Sequence, residues 1–162
     1  MRPVIVSFYH HSGGATSHPH DCGAYQMKYL ILILFLIPTQ AKAFSTDDIF
    51  KAVNKARGTP LVRNAQLDHA AQIKAEALVV CSCLRHDALG LTPSVVIAQS
   101  GYKHQGAGEI LARGFKSPKK LVSAWMKSPT HKSVIKSGFR ETGIGMAFKG
   151  KSVYVVQLFA SR

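Results

Sequence analysis

The pattern of apolar and polar positions after residue 43 predicts two helices followed by a more irregular region. Ser45, followed by two aspartates at 47 and 48, is typical of a helix start, because a hydroxyl cap and acidic residues both favour a helix N-terminus. Apolar residues then recur at helical spacing until Gly58. A second helical pattern runs from about Asn64 to about Val80.

The second half of the chain changes its pattern twice. Between Cys81 and Gly114 the glycines indicate loops and short extended pieces. Ser117-Pro118 predicts a helix start, and a further short helix is expected through Ile135. Apolar residues then alternate on both sides of Gly150, which predicts a β-hairpin. Separate helical and strand blocks indicate an α+β fold.

Residues 27–43 have the order of features found in a secretory signal peptide. Met27-Lys28 gives a positive start, Tyr29–Ile37 is apolar, Pro38 breaks the run, and Ala41-Lys42-Ala43 resembles a cleavage site. The sequence therefore predicts export, to the periplasm or the extracellular space, and one domain over 44–162. Residues 1–26 show no periodicity, and we interpret them as a disordered upstream extension of a protein whose translation begins at Met27.

Charge narrows the possible partners. Lysine and arginine total 21 against 8 acidic residues, a balance that favours anionic envelope polymers or lipids. Six lysines lie in and after the helix that begins at Pro118: Lys116, Lys119, Lys120, Lys127, Lys132 and Lys136. A simple solvated face is the competing interpretation. Nucleic-acid binding is not expected without interleaved aromatic and basic residues, and the domain is expected to be a monomer.

Cys81 and Cys83 leave three interpretations open. They could form a small-ring disulfide, which would make a redox-active protein one functional alternative. With His86 they could form a metal half-site, C-x-C-x-x-H. The preferred interpretation is that the two cysteines are unbonded small residues in apolar surroundings.

Several motifs, in their order along the chain, resemble the CAP superfamily, also called SCP-like, in its bacterial exported form. The family includes cysteine-rich secretory, antigen-five and plant pathogenesis-related proteins. The resemblance runs from about Asn54 to Phe159. Its motifs are Asn54-Lys55-Ala56-Arg57, Gly108-Glu109-Ile110-Leu111, Trp125-Met126-Lys127-Ser128-Pro129-Thr130-His131, Gly143-Ile144-Gly145-Met146-Ala147 and Tyr154-Val155-Val156-Gln157-Leu158-Phe159.

The resemblance implies an α-β-α sandwich with a central antiparallel sheet and a cleft lined by histidines and acidic residues. His86, Glu109 and His131 match the family positions. Ile110 stands where the family usually has Asn, and Thr130 where bacterial members have Gly. Ser128, a further candidate ligand-binding residue, stands near the position where animal and plant members carry a second cleft glutamate, so this second acid is expected to be absent.

Two imidazoles and one carboxylate can bind Zn²⁺ or another divalent cation and leave one position open. We therefore expect His86, His131 and Glu109 to bind a metal or a small ligand, for which a small hydrophobic molecule is a further candidate. The alternative is a metal-dependent hydrolase of peptide or ester bonds, in which the same three residues would be catalytic. A hydrogen-bonded network that only stabilises the fold is the third interpretation.

Overall fold

The structure is a computed structural model, and it describes residues 44–162. The predictions for residues 1–26 and for the signal peptide at 27–43 lie outside the described residues. The described elements are α1 (Thr46–Arg57), β1 (Val62–Arg63), α2 (Ala65–Cys81), a 3₁₀ turn (Ala88–Gly90), α3 (Pro93–Gln99), β2 (Gly106–Arg113), α4 (Pro118–Lys127), α5 (Pro129–Lys136), β3 (Glu141–Lys149) and β4 (Ser152–Ser161). Among these elements, no helix is long and apolar enough to cross a membrane.

The helices begin at capping residues that the sequence provides. Ser45 and Asp48 form a reciprocal capping box at α1, in which the Asp48 N–H donates to Ser45 Oγ at 3.2 Å and the Ser45 N–H to Asp48 Oδ2 at 2.8 Å. Asn64 Oδ1 accepts from two backbone N–H groups at the start of α2. Ser117 caps α4 in front of Pro118. Each cap satisfies N–H groups that have no partner inside the helix.

The four strands form one sheet in the order β1-β3-β4-β2. β3 and β4 form the predicted hairpin, closing at the Lys149–Ser152 pair, and β4 also pairs with all of β2 in antiparallel fashion. β1 is the exception to an antiparallel sheet, since it pairs in parallel with the first two residues of β3. The long strand β4 therefore lies between the two other long strands.

A hydrophobic core lies on each face of the sheet, and this confirms the predicted α-β-α sandwich. α2 and α3 cover one face, which buries Leu67, Leu78, Val96, Ile97, Tyr102, Val156 and Leu158. α1, α4 and α5 cover the other face, which buries Ile49, Val53, Leu121, Trp125, Ile135, Val155 and Phe159. Removal of these apolar side chains from water on both faces drives the layers together.

Two glycines of β3 allow α2 to lie directly on the strand. A Cβ at Gly143 would come within 2.0 Å of the Leu67 carbonyl carbon, and one at Gly145 within 2.2 Å of the same atom of Ala71. Polar side chains of α2 also bond to the strand. Asp68 Oδ1 accepts from the Ile144 N–H at 2.8 Å and Gln72 Oε1 from the Met146 N–H at 3.1 Å.

The region between Cys81 and Gly114 is more regular than the sequence analysis expected. It contains the helix α3 and the eight-residue strand β2. Gly108 lies within this strand, paired with Phe159, and a Cβ there would lie only 2.8 Å from the Phe139 ring. The glycine at position 108 therefore makes room for the packed ring of Phe139 and does not indicate a loop. At α3, Thr92-Pro93 repeats the start signal seen at Ser117-Pro118.

Cys81 and Cys83 are joined by a disulfide at the end of α2. The preferred interpretation, two unbonded cysteines, is therefore wrong. The proposed C-x-C-x-x-H half-site does not form either, because both sulfur atoms are bonded to each other. Ser82 between them adopts a left-handed conformation that ends the helix.

Candidate functional site

Glu109 occupies the middle of β2, opposite Leu158 of β4. Its side chain is only 1% exposed, and Oε1 lies 2.7 Å from His86 Nδ1. Oε2 is buried and has no hydrogen-bond partner within residues 44–162. A buried carboxylate oxygen without a partner is costly, so this atom is a natural place for a ligand, a water molecule or a proton.

His86 lies on the segment between α2 and α3 and is the exposed partner of this pair. Its side chain is 63% exposed, in contrast to the buried carboxylate beneath it. Because Nδ1 faces Glu109, the second ring nitrogen, Nε2, is the one that can bind a ligand from solvent. The structure thus brings together two of the three residues predicted to form the site.

His131 is the third residue of α5, which begins at Pro129. Its Nδ1 lies 2.8 Å from Ser128 Oγ. Ser128 stands at the N-cap position of α5, yet its side chain makes no capping hydrogen bond and contacts the His131 ring instead. Ser128, which the sequence predicts to bind a ligand, therefore contacts the His131 ring in the structure.

Burial controls the protonation of these groups. It raises the pKa of Glu109, while the hydrogen bond from His86 and the charge of Lys74 act in the opposite direction. Burial also lowers the pKa of His131, and the charge of nearby His86 lowers this pKa further. At neutral pH the His131 ring is therefore in the neutral form that binds metal ions.

Lys74 is a site residue that the sequence analysis missed. It lies on α2, is completely buried, and its Nζ donates to the carbonyl oxygens of His86, at 2.6 Å, and Leu91. Burial lowers the pKa of Lys74, and the charges of Glu109 and Asp87 counteract this. A sequence signal existed, since Lys74 falls at helical spacing between the buried positions Ala70 and Leu78.

The candidate donor atoms for a divalent cation are the ring nitrogens of the two histidines and the carboxylate of Glu109. Each histidine has Nδ1 held by a neighbour, Glu109 for His86 and Ser128 for His131, which leaves Nε2 for a ligand. Metal-binding histidines in proteins usually have this arrangement. Nevertheless, no group of three or more His, Cys, Asp or Glu side chains within 44–162 is placed to hold a metal ion. Within this part of the chain a cation would therefore have at most the two imidazoles as predicted protein ligands, with Glu109 as the hydrogen-bond partner of His86.

A separate groove of about 980 Å³ lies between α1 and α4. Its apolar lining includes Ala52, Ala56, Val122 and Met126, and three lysines also border it: Lys51, Lys55 and Lys119. This groove was not predicted from the sequence. The repeat of alanine and lysine at positions 51, 52, 55 and 56 was the available signal, because residues four apart share a helix face.

The sequence model of the cysteine-rich secretory protein family, CAP, matches residues 51–159. The chain therefore belongs to the CAP family, as its motifs predicted. A Bacillus subtilis protein named YkwD is 33% identical over 60 residues, which make up 36% of this chain. Those residues cover only 23% of YkwD, so this chain matches about a quarter of that relative's length.

Solved structures show the same fold at low sequence identity. An outer surface protein of Borrelia burgdorferi, 22% identical, superposes with a TM-score of 0.67 over 75% of this chain and 98% of its own. An extracellular SCP-domain protein of Bacillus anthracis, 20% identical, gives 0.63 over 72% of this chain and 40% of its own. These likenesses confirm the CAP fold.

Proposed function

We propose that this CAP domain binds a divalent cation of the Zn²⁺ type through Nε2 of His86 and Nε2 of His131. The observation that carries the proposal is the matching state of the two rings, each with Nδ1 engaged by an oxygen of a neighbouring residue. Such partners orient a ligand ring and fix its tautomer. The remaining coordination positions would be open to water or to a small ligand.

The cation site would function outside the cytoplasm. The support is the signal-peptide pattern at residues 27–43 and the printed descriptions of two structural neighbours, one an outer surface protein and one extracellular. All six lysines of the cluster between Lys116 and Lys136 are exposed. We propose that this basic surface holds the protein against anionic envelope polymers or lipids.

Calorimetric titration of the purified protein with Zn²⁺ tests the cation site. We expect one-to-one binding that is lost in His86→Ala and in His131→Ala. His69→Ala is the matched control, because His69 is an exposed histidine on α2, and it should bind like the parent protein. Equal, weak binding by all four proteins would refute the site.

The groove between α1 and α4 supports a second candidate function, the binding of a small hydrophobic ligand. Its apolar wall and three lysines fit a single-chain amphiphile with an anionic head group. We expect a fluorescent fatty acid to bind, with weaker binding in Met126→Gln and Lys55→Ala. Lys132→Ala removes an exposed lysine that does not line the groove, and should have no effect. Equal binding by all variants would locate the fatty acid elsewhere.

A further inference from the structure

Lys74 connects α2 to both ends of one short segment. Its ammonium group donates to the carbonyl oxygen of His86 and to that of Leu91. Residues 86–91 include the 3₁₀ turn and carry the exposed imidazole of the candidate site. One side chain thus holds both ends of this segment against the helix.

A completely buried lysine needs a physical reason, because removing an ammonium group from water is unfavourable. The hydrogen bonds of Lys74 go to two backbone carbonyls and to no carboxylate. Lys74 therefore does not form a hydrogen-bonded ion pair with an acidic side chain. Its contacts fix the course of the backbone, which is a structural task for a long side chain with several donors.

Apart from the contact between His86 and Glu109, few other polar contacts hold the segment in place. Two of its backbone hydrogen bonds, from Gly90 to Asp87 and from Leu91 to Ala88, are internal to it. The salt bridge between Arg85 and Asp87 is exposed and also local, so it contributes little. Ala88 and the partly buried Leu91 pack in the core, but their apolar side chains form no hydrogen bond that could fix the backbone of His86.

We propose that Lys74 is the positioning residue of the cation site, which holds the backbone of His86 so that its ring stays on Glu109 with Nε2 directed outward. This inference rests on the proposed function for its role in cation binding. The positioning itself concerns the metal-free protein and can be tested there.

The charge of Lys74 and its positioning role have opposite effects on cation binding. A positive charge beneath the site repels a cation, so its removal alone would tighten binding. Loss of positioning would free the His86 ring and weaken binding. The direction of the change in Lys74→Met therefore distinguishes the two effects. We expect Zn²⁺ affinity to fall at least tenfold.

The experiment uses the full chain labelled with ¹⁵N-histidine, without metal, and records the ring nitrogen signals by NMR. We expect His86 to show one fixed tautomer in the parent protein and averaged, solvent-like signals in Lys74→Met. The ring of His131 serves as the internal reference. Lys127→Met is the charge-matched control, since Lys127 is exposed and adjoins Ser128, and it should leave the His86 signals unchanged.

Lys74→Gln retains a hydrogen-bond donor and should give an intermediate result; it also decides the test if Lys74→Met does not fold. Unchanged His86 signals in a folded Lys74 variant, or tighter Zn²⁺ binding by it, would overturn the inference. Failure of the parent protein to bind Zn²⁺ would refute the proposed function alone, because the ring signals still report the positioning.

Discussion

The face of the sheet covered by α2 and the face covered by α1 and α4 differ in how closely helix and sheet approach. At Gly143 and Gly145 the backbone of β3 leaves no room for a side chain beneath α2. On the other face, larger residues such as Ile49 and Trp125 fill the space, and a groove remains between α1 and α4. At these two positions an added Cβ would meet helix backbone, whereas at Gly108 on the other face it would meet the side chains of Phe139 and Val134.

The two faces contribute differently to the two candidate sites. α2 carries Lys74 and leads through the disulfide into the segment of His86. The His86–Glu109 pair therefore lies on the face covered by α2, whereas His131 lies on α5 of the other face. The groove lies between α1 and α4, both of which cover the other face. The predictions below test this contrast.

The largest loss of stability is expected for Gly145→Ala. The new methyl group would clash with the backbone of α2 at Ala71, and backbone cannot move aside as a side chain can. We expect the free energy of unfolding in guanidinium chloride to fall by about 4 kcal/mol or more. Gly138→Ala is the control, because a Cβ there meets nothing within 4 Å. A cost below about 1 kcal/mol for Gly145→Ala would contradict the close approach.

A pair of truncations compares the two faces directly. Leu78 is completely buried on the α2 face, so Leu78→Ala should cost about 2–5 kcal/mol of unfolding free energy. Met126 is only half-buried at the groove, so Met126→Ala should cost about 1 kcal/mol or less, because little apolar surface leaves the core. Similar losses in the two variants, measured by denaturant unfolding, would show that the faces do not differ.

The disulfide at the end of α2 should have a moderate effect. It closes a ring of only three residues, for which the chain-entropy estimate is about 1–2 kcal/mol. The double variant Cys81→Ser/Cys83→Ser is expected to lose this amount, measured against the parent protein under non-reducing conditions. Addition of a reductant should lower the stability of the parent but not of the variant; equal responses would contradict the contribution of this bond.

The smallest effect concerns pH. Burial raises the pKa of Glu109 above the ordinary 4.5, so the folded protein retains a proton that the unfolded chain releases. The resulting stabilisation is complete below pH 4.5 and is lost as pH rises through the folded-state pKa. Glu109→Gln lacks this dependence. Its melting temperature should therefore improve relative to that of the parent as pH rises from 4, and a constant difference would contradict the raised pKa.

The sequence predicted the layered fold because the relevant signals are local. Ser45 and Ser117 mark helix starts, and the alternation around Gly150 marks the hairpin. The strand β2 was not predicted because its glycine at 108 was interpreted as a loop residue. The actual reason for this glycine is its close contact with the Phe139 ring, which lies far along the chain. The histidines and Glu109 were identified from a family resemblance. The spacing of Lys74 indicates that it is buried, but not which two carbonyl groups it binds.

The position of β4 in the sheet affects how the domain folds. β2 and β3 do not pair with each other, and each forms its long ladder with β4, whose residues come last among the strands. During synthesis, the sheet cannot close until residues 152–161 are available, and pairs such as Gly106 with Ser161 join distant parts of the chain. Such long-range closure slows folding. Until then the edges of β2 and β3 are exposed to unwanted pairing with other chains.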